Sequence, residues 1–106
     1  MTEREFSKAI PHLEATLATY PELTRAYWLL GKSLASSGNQ QHAIEVLKKA
    51  LQQNPNYKEV HFQLSEIYAR MGNKPESQQH LQIFERLTRE DQSRDREILQ
   101  QSQKNR

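Results

Sequence analysis

The most constraining feature of the sequence is a repeat with a period of 34 residues. Pro21 and Pro55 are 34 positions apart (55 − 21 = 34), and so are the dipeptides Gly38-Asn39 and Gly72-Asn73. Leucines recur at the same step, at Leu13, Leu47 and Leu81. A fixed period of this size is typical of helical repeat arrays, in which each unit is too small to bury its own apolar face and therefore stacks on its neighbours. The sequence thus predicts an all-α protein that presents a binding surface rather than a reaction centre.

Composition narrows the classes of partner. At 106 residues the chain is one domain at most, and its formal charge of +2 gives no strong field for nucleic acid or an anionic membrane. There is no cysteine, which excludes disulfides and thiolate metal sites. No signal-peptide-like segment follows Met1, and no apolar run reaches the roughly 20 residues of a membrane span. We therefore expect a soluble chain, cytoplasmic by default, with neither a nucleic-acid nor a membrane partner.

Hydrophobic periodicity predicts five helices with no strand. Apolar side chains recur at the helical period in each segment, and the glycine turns and the prolines mark the ends. Pro11 lies inside the first segment, where it should kink the helix or delay its start. The segments cover about residues 4–19, 24–36, 40–53, 58–70 and from residue 74 or 75 onward.

The last segment is polar, since only Ile98 and Leu99 are apolar after residue 88. Two interpretations of residues 90–106 stay open. The first is a solvated helical extension that frays into disorder. The second is a short capping helix that starts at Asp91 or Ser93 and lays its two apolar residues over the open end of the array.

The middle of the chain carries a pattern of small and apolar residues known from one protein family. Its elements are Ala26-Tyr27-Trp28-x-Leu30-Gly31, Gly38, Ala43, Leu47, Ala50 and Asn54-Pro55. This stretch resembles one tetratricopeptide repeat (TPR). Residues 58–89 resemble a second, weaker repeat, which departs from the family pattern at His61, Ser65 and Phe84. Residues 4–21 resemble half a repeat, so residues 1–89 are predicted to be a TPR-like domain that looks like the C-terminal end of a longer array.

The resemblance implies a right-handed superhelix of antiparallel hairpins, with a concave groove lined by the first helix of each unit. Trp28 and Phe62 are 34 positions apart (62 − 28 = 34), so they should stack along one ridge of that groove. Aromatic anchors between charges of both signs suit a peptide or helix of a partner protein. The predicted groove residues are Arg25, Trp28, Leu29, Lys32, Ser36, Glu59, Phe62, Gln63, Glu66 and Arg70.

The sequence also bears on two further functions. TPR modules that hold carboxylate termini use a constellation of basic and amide groups, and here Glu59 and Glu66 would repel a carboxylate. The first helix raises the alternative of a structural, self-associating segment, because an uncovered apolar strip could mediate a homo-oligomer. The strip comprises Phe6, Ile10, Leu13 and Leu17.

Catalytic, metal and cofactor sites have no support in the sequence. No two of the four histidines have the i, i+4 spacing of a helical zinc site, and the three glycines are scattered rather than clustered as in a phosphate loop. His12 and His80 repeat one position at twice the period (80 − 12 = 68), and we expect both on the solvated side. His61 is expected to be partly buried beside the core. The chain is therefore predicted not to be an enzyme and to need no cofactor.

Overall fold

The computed structural model describes residues 3–104, and within that range it contains five helices and no strand. Each helix packs against the next in the chain, and α2 also contacts α4. This arrangement confirms the prediction of stacked antiparallel helical hairpins. The helices are α1 (Glu3–Thr19), α2 (Thr24–Ser36), α3 (Gln40–Gln53), α4 (Lys58–Arg70) and α5 (Lys74–Lys104).

The two turns inside the hairpins explain why the sequence repeats where it does. Gly38 and Gly72 have φ angles of +89° and +79°, a left-handed conformation that only glycine adopts at low cost. The asparagine after each glycine then caps the next helix. The side chains of Asn39 and Asn73 accept hydrogen bonds at 3.4 Å from the N–H groups of His42 and Glu76. The repeated Gly-Asn pair therefore ends one helix and starts another.

The core is a thin apolar layer between the helices. Its largest fully buried side chains are Leu47, Leu64, Ile67 and Val60. Gly31 brings α2 close to α3, because a Cβ atom at this position would lie 2.5 Å from Cγ of Leu47. Gly31 therefore packs directly against the side chain of Leu47.

Leu81 is more exposed than the equivalent leucine of the preceding repeat. It occupies the position of Leu47 one repeat later (81 − 47 = 34), yet 37% of its surface is exposed, against 0% for Leu47. Helix α3 packs between α2 and α4, while within residues 3–104 α5 packs only on α4. The same leucine is therefore covered in one repeat and open in the next.

Pro11 does not delay the start of α1, since the helix begins at Glu3 and continues through the proline to Thr19. The proline therefore lies in the interior of the helix rather than in its first turn. An interior proline leaves one carbonyl of the preceding turn without its helical hydrogen bond.

Helix α5 is a single element of 31 residues. It runs past residue 89 to Lys104 without a break, so no separate helix begins at Asp91 or Ser93. Ile98 and Leu99 are 65% and 63% exposed. The last two residues of the predicted 90–106 extension lie outside the described range. The division of the chain at residue 89 stays a prediction.

Candidate protein-interaction site

A cleft of about 410 Å³ lies between α2, α4 and α5. On α4 the core residues Val60, Leu64 and Ile67 are buried, whereas Glu59, Phe62, Gln63 and Glu66 line the cleft on another face of the helix. That face turns toward the outer side of α2 and the middle of α5. We call this site the aromatic cleft, and it is lined by Trp28, Lys32, Lys58, Glu59, Phe62, Gln63, Glu66 and Phe84.

Trp28 is half-buried and is held from several sides. Its ring lies 6.1 Å from the ring of Tyr57 between centroids. The guanidinium carbon of Arg25 lies 5.4 Å from the Trp28 centroid, and Nζ of Lys32 lies 5.6 Å from it. Cations at these distances are attracted by the negative face of the indole. The indole is thus fixed in place while part of its surface borders the cleft.

Phe62 is the most exposed aromatic side chain of the cleft, at 40% of its surface. Its ring packs against Phe84 of α5, with 5.0 Å between the centroids. Trp28 and Phe62 therefore line the same cleft, but each ring contacts a different aromatic partner rather than the other.

Sequence reasoning missed Phe84 as a site residue, although a signal was present. Phe84 stands one period after Ala50 (84 − 50 = 34), at a position where the family pattern has a small residue. Ala50 is fully buried between helices, whereas Phe84 is only half-buried and points at Phe62. A large residue fits in place of a small one here because, within the described residues, α5 packs only on α4 and no further helix covers its other side. The departure from the pattern marked a side chain of the cleft.

Lys58 was also missed, and it connects the cleft to the long helix. Its Nζ donates to Oδ2 of Asp91 at 2.8 Å, and Arg94 donates to the other carboxylate oxygen at 2.9 Å. The hydrogen bond to Asp91 raises the pKa of Lys58 above its ordinary value, and the same bond lowers the pKa of Asp91. The contact ties the first turn of α4 to α5 beside the cleft.

The structure brings together six of the ten predicted groove residues in the aromatic cleft and a seventh, Arg25, at its margin. Three lie elsewhere. Leu29 borders an apolar groove of about 350 Å³ between α1 and α2. Ser36 and Arg70 border a separate, polar depression at the opposite end of α2. The single groove predicted from the sequence is therefore divided into neighbouring depressions.

Two histidines meet between α4 and α5. Nδ1 of His61 lies 3.0 Å from Nδ1 of His80, and Nε2 of His61 donates to the carbonyl oxygen of Pro55 at 2.8 Å. His80 also stacks on Tyr68, with centroids 5.8 Å apart and planes at 8°. His61 is buried, and the sequence predicted it to be partly buried. His80 was expected on the solvated side, but its ring packs in this cluster and is only partly exposed. Burial, and next the neighbouring His61, lowers the pKa of His80 below 6.5.

Over residues 3–104, no three His, Asp or Glu side chains come close enough together to hold a metal ion. The part of the chain that the structure describes has no helix with the length and apolar character needed to cross a membrane. The cleft itself offers aromatic surface, two carboxylates and two amines without a nucleophile beside a base.

Comparisons with known proteins agree with this architecture. A profile of the tetratricopeptide repeat family matches residues 34–100, which is more than half of the chain. No curated protein matches the sequence significantly.

Among solved structures, MamA MSR-1 superposes with a TM-score of 0.78 at 26% sequence identity, covering 82% of this chain and 50% of that one. MamA 41-end from Desulfovibrio magneticus RS-1 gives a TM-score of 0.76 at 28% identity, covering 81% and 49%. MamA AMB-1 gives 0.76 at 27% identity, covering 81% and 51%. The chain thus spans about half the length of the MamA structures it matches. With the family profile and the stacked helical hairpins in agreement, the chain belongs to the tetratricopeptide repeat family, whose members typically act as non-catalytic modules of protein interaction and scaffolding.

Proposed function

We propose that the aromatic cleft binds a peptide or helix of a partner protein, so that the chain acts as an interaction module. The observation that carries the proposal is the 40% exposed ring of Phe62 in a cleft shared with Trp28 and Phe84. Aromatic side chains dominate the binding energy of protein interfaces when they are desolvated by a partner. A cleft with an aromatic floor and a charged rim has the anatomy of such an interface.

A selection with displayed helices tests the proposal. A phage library built on one alanine-rich helix, with the surface positions randomised, would be selected on the wild-type protein. We expect the selected helices to lose about 2 kcal/mol or more of binding free energy on the Phe62→Ala variant, because the central anchor is removed.

Leu81→Ala is the matched control, since Leu81 is similarly exposed (37%) but does not line the cleft. Selected helices that bind Phe62→Ala and wild type equally well would contradict the proposal. Isothermal titration calorimetry measures both affinities.

A second candidate function is self-association through α1. Part of the strip predicted to be uncovered is in fact covered, because Leu17 is buried in the core and Ile10 and Leu13 are partly buried against it. The groove of about 350 Å³ between α1 and α2 is lined mainly by apolar side chains, among them Phe6, Leu13 and Leu29. An uncovered apolar groove of this kind can bury a second copy of the chain. Light scattering over a concentration series tests this alternative, and Phe6→Ser should abolish any dimer; a mass that stays monomeric at high concentration would exclude it.

A further inference from the structure

The two helices that flank the aromatic cleft carry opposite charges at equivalent positions of successive repeats. One period separates Arg25 from Glu59 (59 − 25 = 34) and Lys32 from Glu66 (66 − 32 = 34), and the same period separates the aromatic residues between them. Along α2 the order of the side chains is therefore basic, aromatic, basic, and along α4 it is acidic, aromatic, acidic. We call the first pair the basic edge (Arg25 and Lys32) and the second the acidic edge (Glu59 and Glu66).

The acidic edge is available to a ligand. Within residues 3–104, neither Glu59 nor Glu66 takes part in an ion pair, and the cleft's remaining cation, Lys58, is bound to Asp91 at 2.8 Å. The two carboxylates lie on either side of Phe62 in the sequence, three residues before it and four after it, so all three side chains share one face of α4. Both carboxylates line the cleft.

The basic edge is equally free of acidic partners. Arg25 and Lys32 lie over the ring of Trp28, at 5.4 and 5.6 Å from its centroid, rather than against Glu59 or Glu66. The two edges therefore do not neutralise each other across the cleft by direct ion pairs. A ligand in the cleft meets Arg25 and Lys32 on the α2 side. On the α4 side it meets Glu59 and Glu66, and the cation of that side, Lys58, is paired with Asp91.

The spacing along each edge favours a helical ligand. The charged residues of each edge are seven positions apart, which is about 10 Å along the axis of an α-helix. In a ligand helix that lies along α2 and α4, side chains seven residues apart lie on the same face, two turns apart. Two such side chains can therefore meet both charges of an edge. An extended peptide covers the same distance in about three residues. Because its successive side chains point to opposite faces, two side chains three residues apart cannot both face one edge.

We propose that the cleft selects an amphipathic helix of a partner protein whose apolar stripe has acidic side chains along one border and basic side chains along the other. The apolar stripe packs on the exposed Phe62 ring and beside Trp28. The acidic border faces Arg25 and Lys32, and the basic border faces Glu59 and Glu66. The direction in which the helix runs is thereby fixed, because turning it end for end places like charges together.

This proposal rests on the aromatic cleft being the partner-binding site, and its test separates the two. The probe is a helix selected from the phage library on the wild-type protein and synthesised as a free peptide. Its affinity is measured against Glu59→Lys/Glu66→Lys, in which both edges are basic. We expect a loss of at least about tenfold, because the basic border of the peptide then faces lysines.

The matched control is Glu14→Lys/Glu45→Lys, which makes the same change in net charge at two exposed acidic residues of α1 and α3 that do not line the cleft. We expect this control to bind within about threefold of wild type. Replacing the basic residues of the peptide by glutamate should reverse the order, so that it binds the Glu59→Lys/Glu66→Lys variant at least about tenfold better than wild type.

Glu59 lies in the first turn of α4, where a lysine is unfavourable to the helix dipole. If circular dichroism shows that the acidic-edge variant is unfolded, the basic-edge variant Arg25→Glu/Lys32→Glu gives the same test through the acidic border of the peptide. Two results would overturn the inference and leave the proposed function intact. In the first, the selected helices need Phe62 but show no charge polarity. In the second, reversing the charges of an edge changes the affinity no more than the control does. Selected helices that do not need Phe62 would remove both the inference and the proposed function.

Discussion

Gly31 gives the sharpest test of how the two central helices pack. Replacing it by alanine adds one methyl group, whose carbon would lie 2.5 Å from both Cγ and Cδ2 of Leu47. Leu47 cannot move aside easily, because Cγ is not the free end of its side chain and the residue is 0% exposed. The smallest possible side chain is therefore already too large at this position.

Two effects of opposite sign set the expected magnitude. In a helix interior alanine is favoured over glycine by about 1 kcal/mol. Overpacking a well-filled core costs about 1–3 kcal/mol. We therefore expect Gly31→Ala to lower the free energy of unfolding by up to about 2 kcal/mol, although an exposed helical glycine would gain from the same change.

A double-mutant cycle isolates the contact. Leu47→Ala alone should cost about 2–5 kcal/mol because it leaves a cavity. In that background Gly31→Ala should become stabilising by about 1 kcal/mol, since the methyl group enters free space and only the helix propensity remains. Urea unfolding followed by circular dichroism measures all four proteins.

Ser65 supplies the matched control for the cycle. It occupies the equivalent position one repeat later (65 − 31 = 34) and already has a Cβ atom. Ser65→Ala removes only a hydroxyl that donates to the carbonyl of Phe62 at 2.7 Å, so it should cost about 1 kcal/mol. A Gly31→Ala variant that is more stable than wild type by the full propensity difference would refute the packing described for α2 and α3.

The remaining predictions concern the last helix and a cap. Burial lowers the pKa of His80, so the unfolded chain binds a proton at this residue more readily than the folded chain does. The free energy of unfolding should therefore fall as pH drops through about 6.5 toward the lower pKa of the folded state. In thermal melts between about pH 8 and pH 5, His80→Gln should flatten this slope, while His12→Gln, at an exposed site, should not. Leu81→Ala should cost less than about 1 kcal/mol in urea unfolding, since the side chain is 37% exposed, and a loss as large as that of Leu47→Ala would show that α5 is covered in solution. Asn39→Ala should cost about 1 kcal/mol by removing the α3 cap, and an unchanged unfolding midpoint would contradict the capping role.

The fold was predictable because its determinants are local and repeat. Gly38 and Gly72 need a left-handed conformation, and the asparagines after them cap the next helix, so the positions of the turns follow from residue chemistry alone. The helix bounds followed from the same signals. The length of α5 was left open, since a polar helix and a frayed tail have similar composition.

The site was predictable only in part, because side-chain contacts between helices are not local. Trp28, Lys32, Glu59, Phe62, Gln63 and Glu66 were placed in one groove through the period, and the structure brings them together. The positions of Phe84 and Lys58 in the cleft depend on how α5 crosses α4, which the 34-residue period does not specify.

His80 shows the same limit for polar residues at the contacts between helices. Its position in the repeat is that of the exposed His12, but the ring lies against His61 and Tyr68. His61 stands where the family pattern has an aromatic residue, so the repeat pattern does not predict the partner of His80. The environment of His80 therefore came from a departure from the repeat rather than from the repeat itself.

The most direct test of the central conclusion is a map of where a bound helix touches the protein. Backbone amide shifts of the ¹⁵N-labelled protein would be followed by NMR while a phage-selected helix is titrated in. The aromatic cleft predicts that the largest shifts fall on α2 and α4, around Trp28 and Phe62, with little change in the middle of α3. Shifts concentrated on α1, or on the exposed side of α3 around Glu45, would contradict the assignment of the cleft as the binding site.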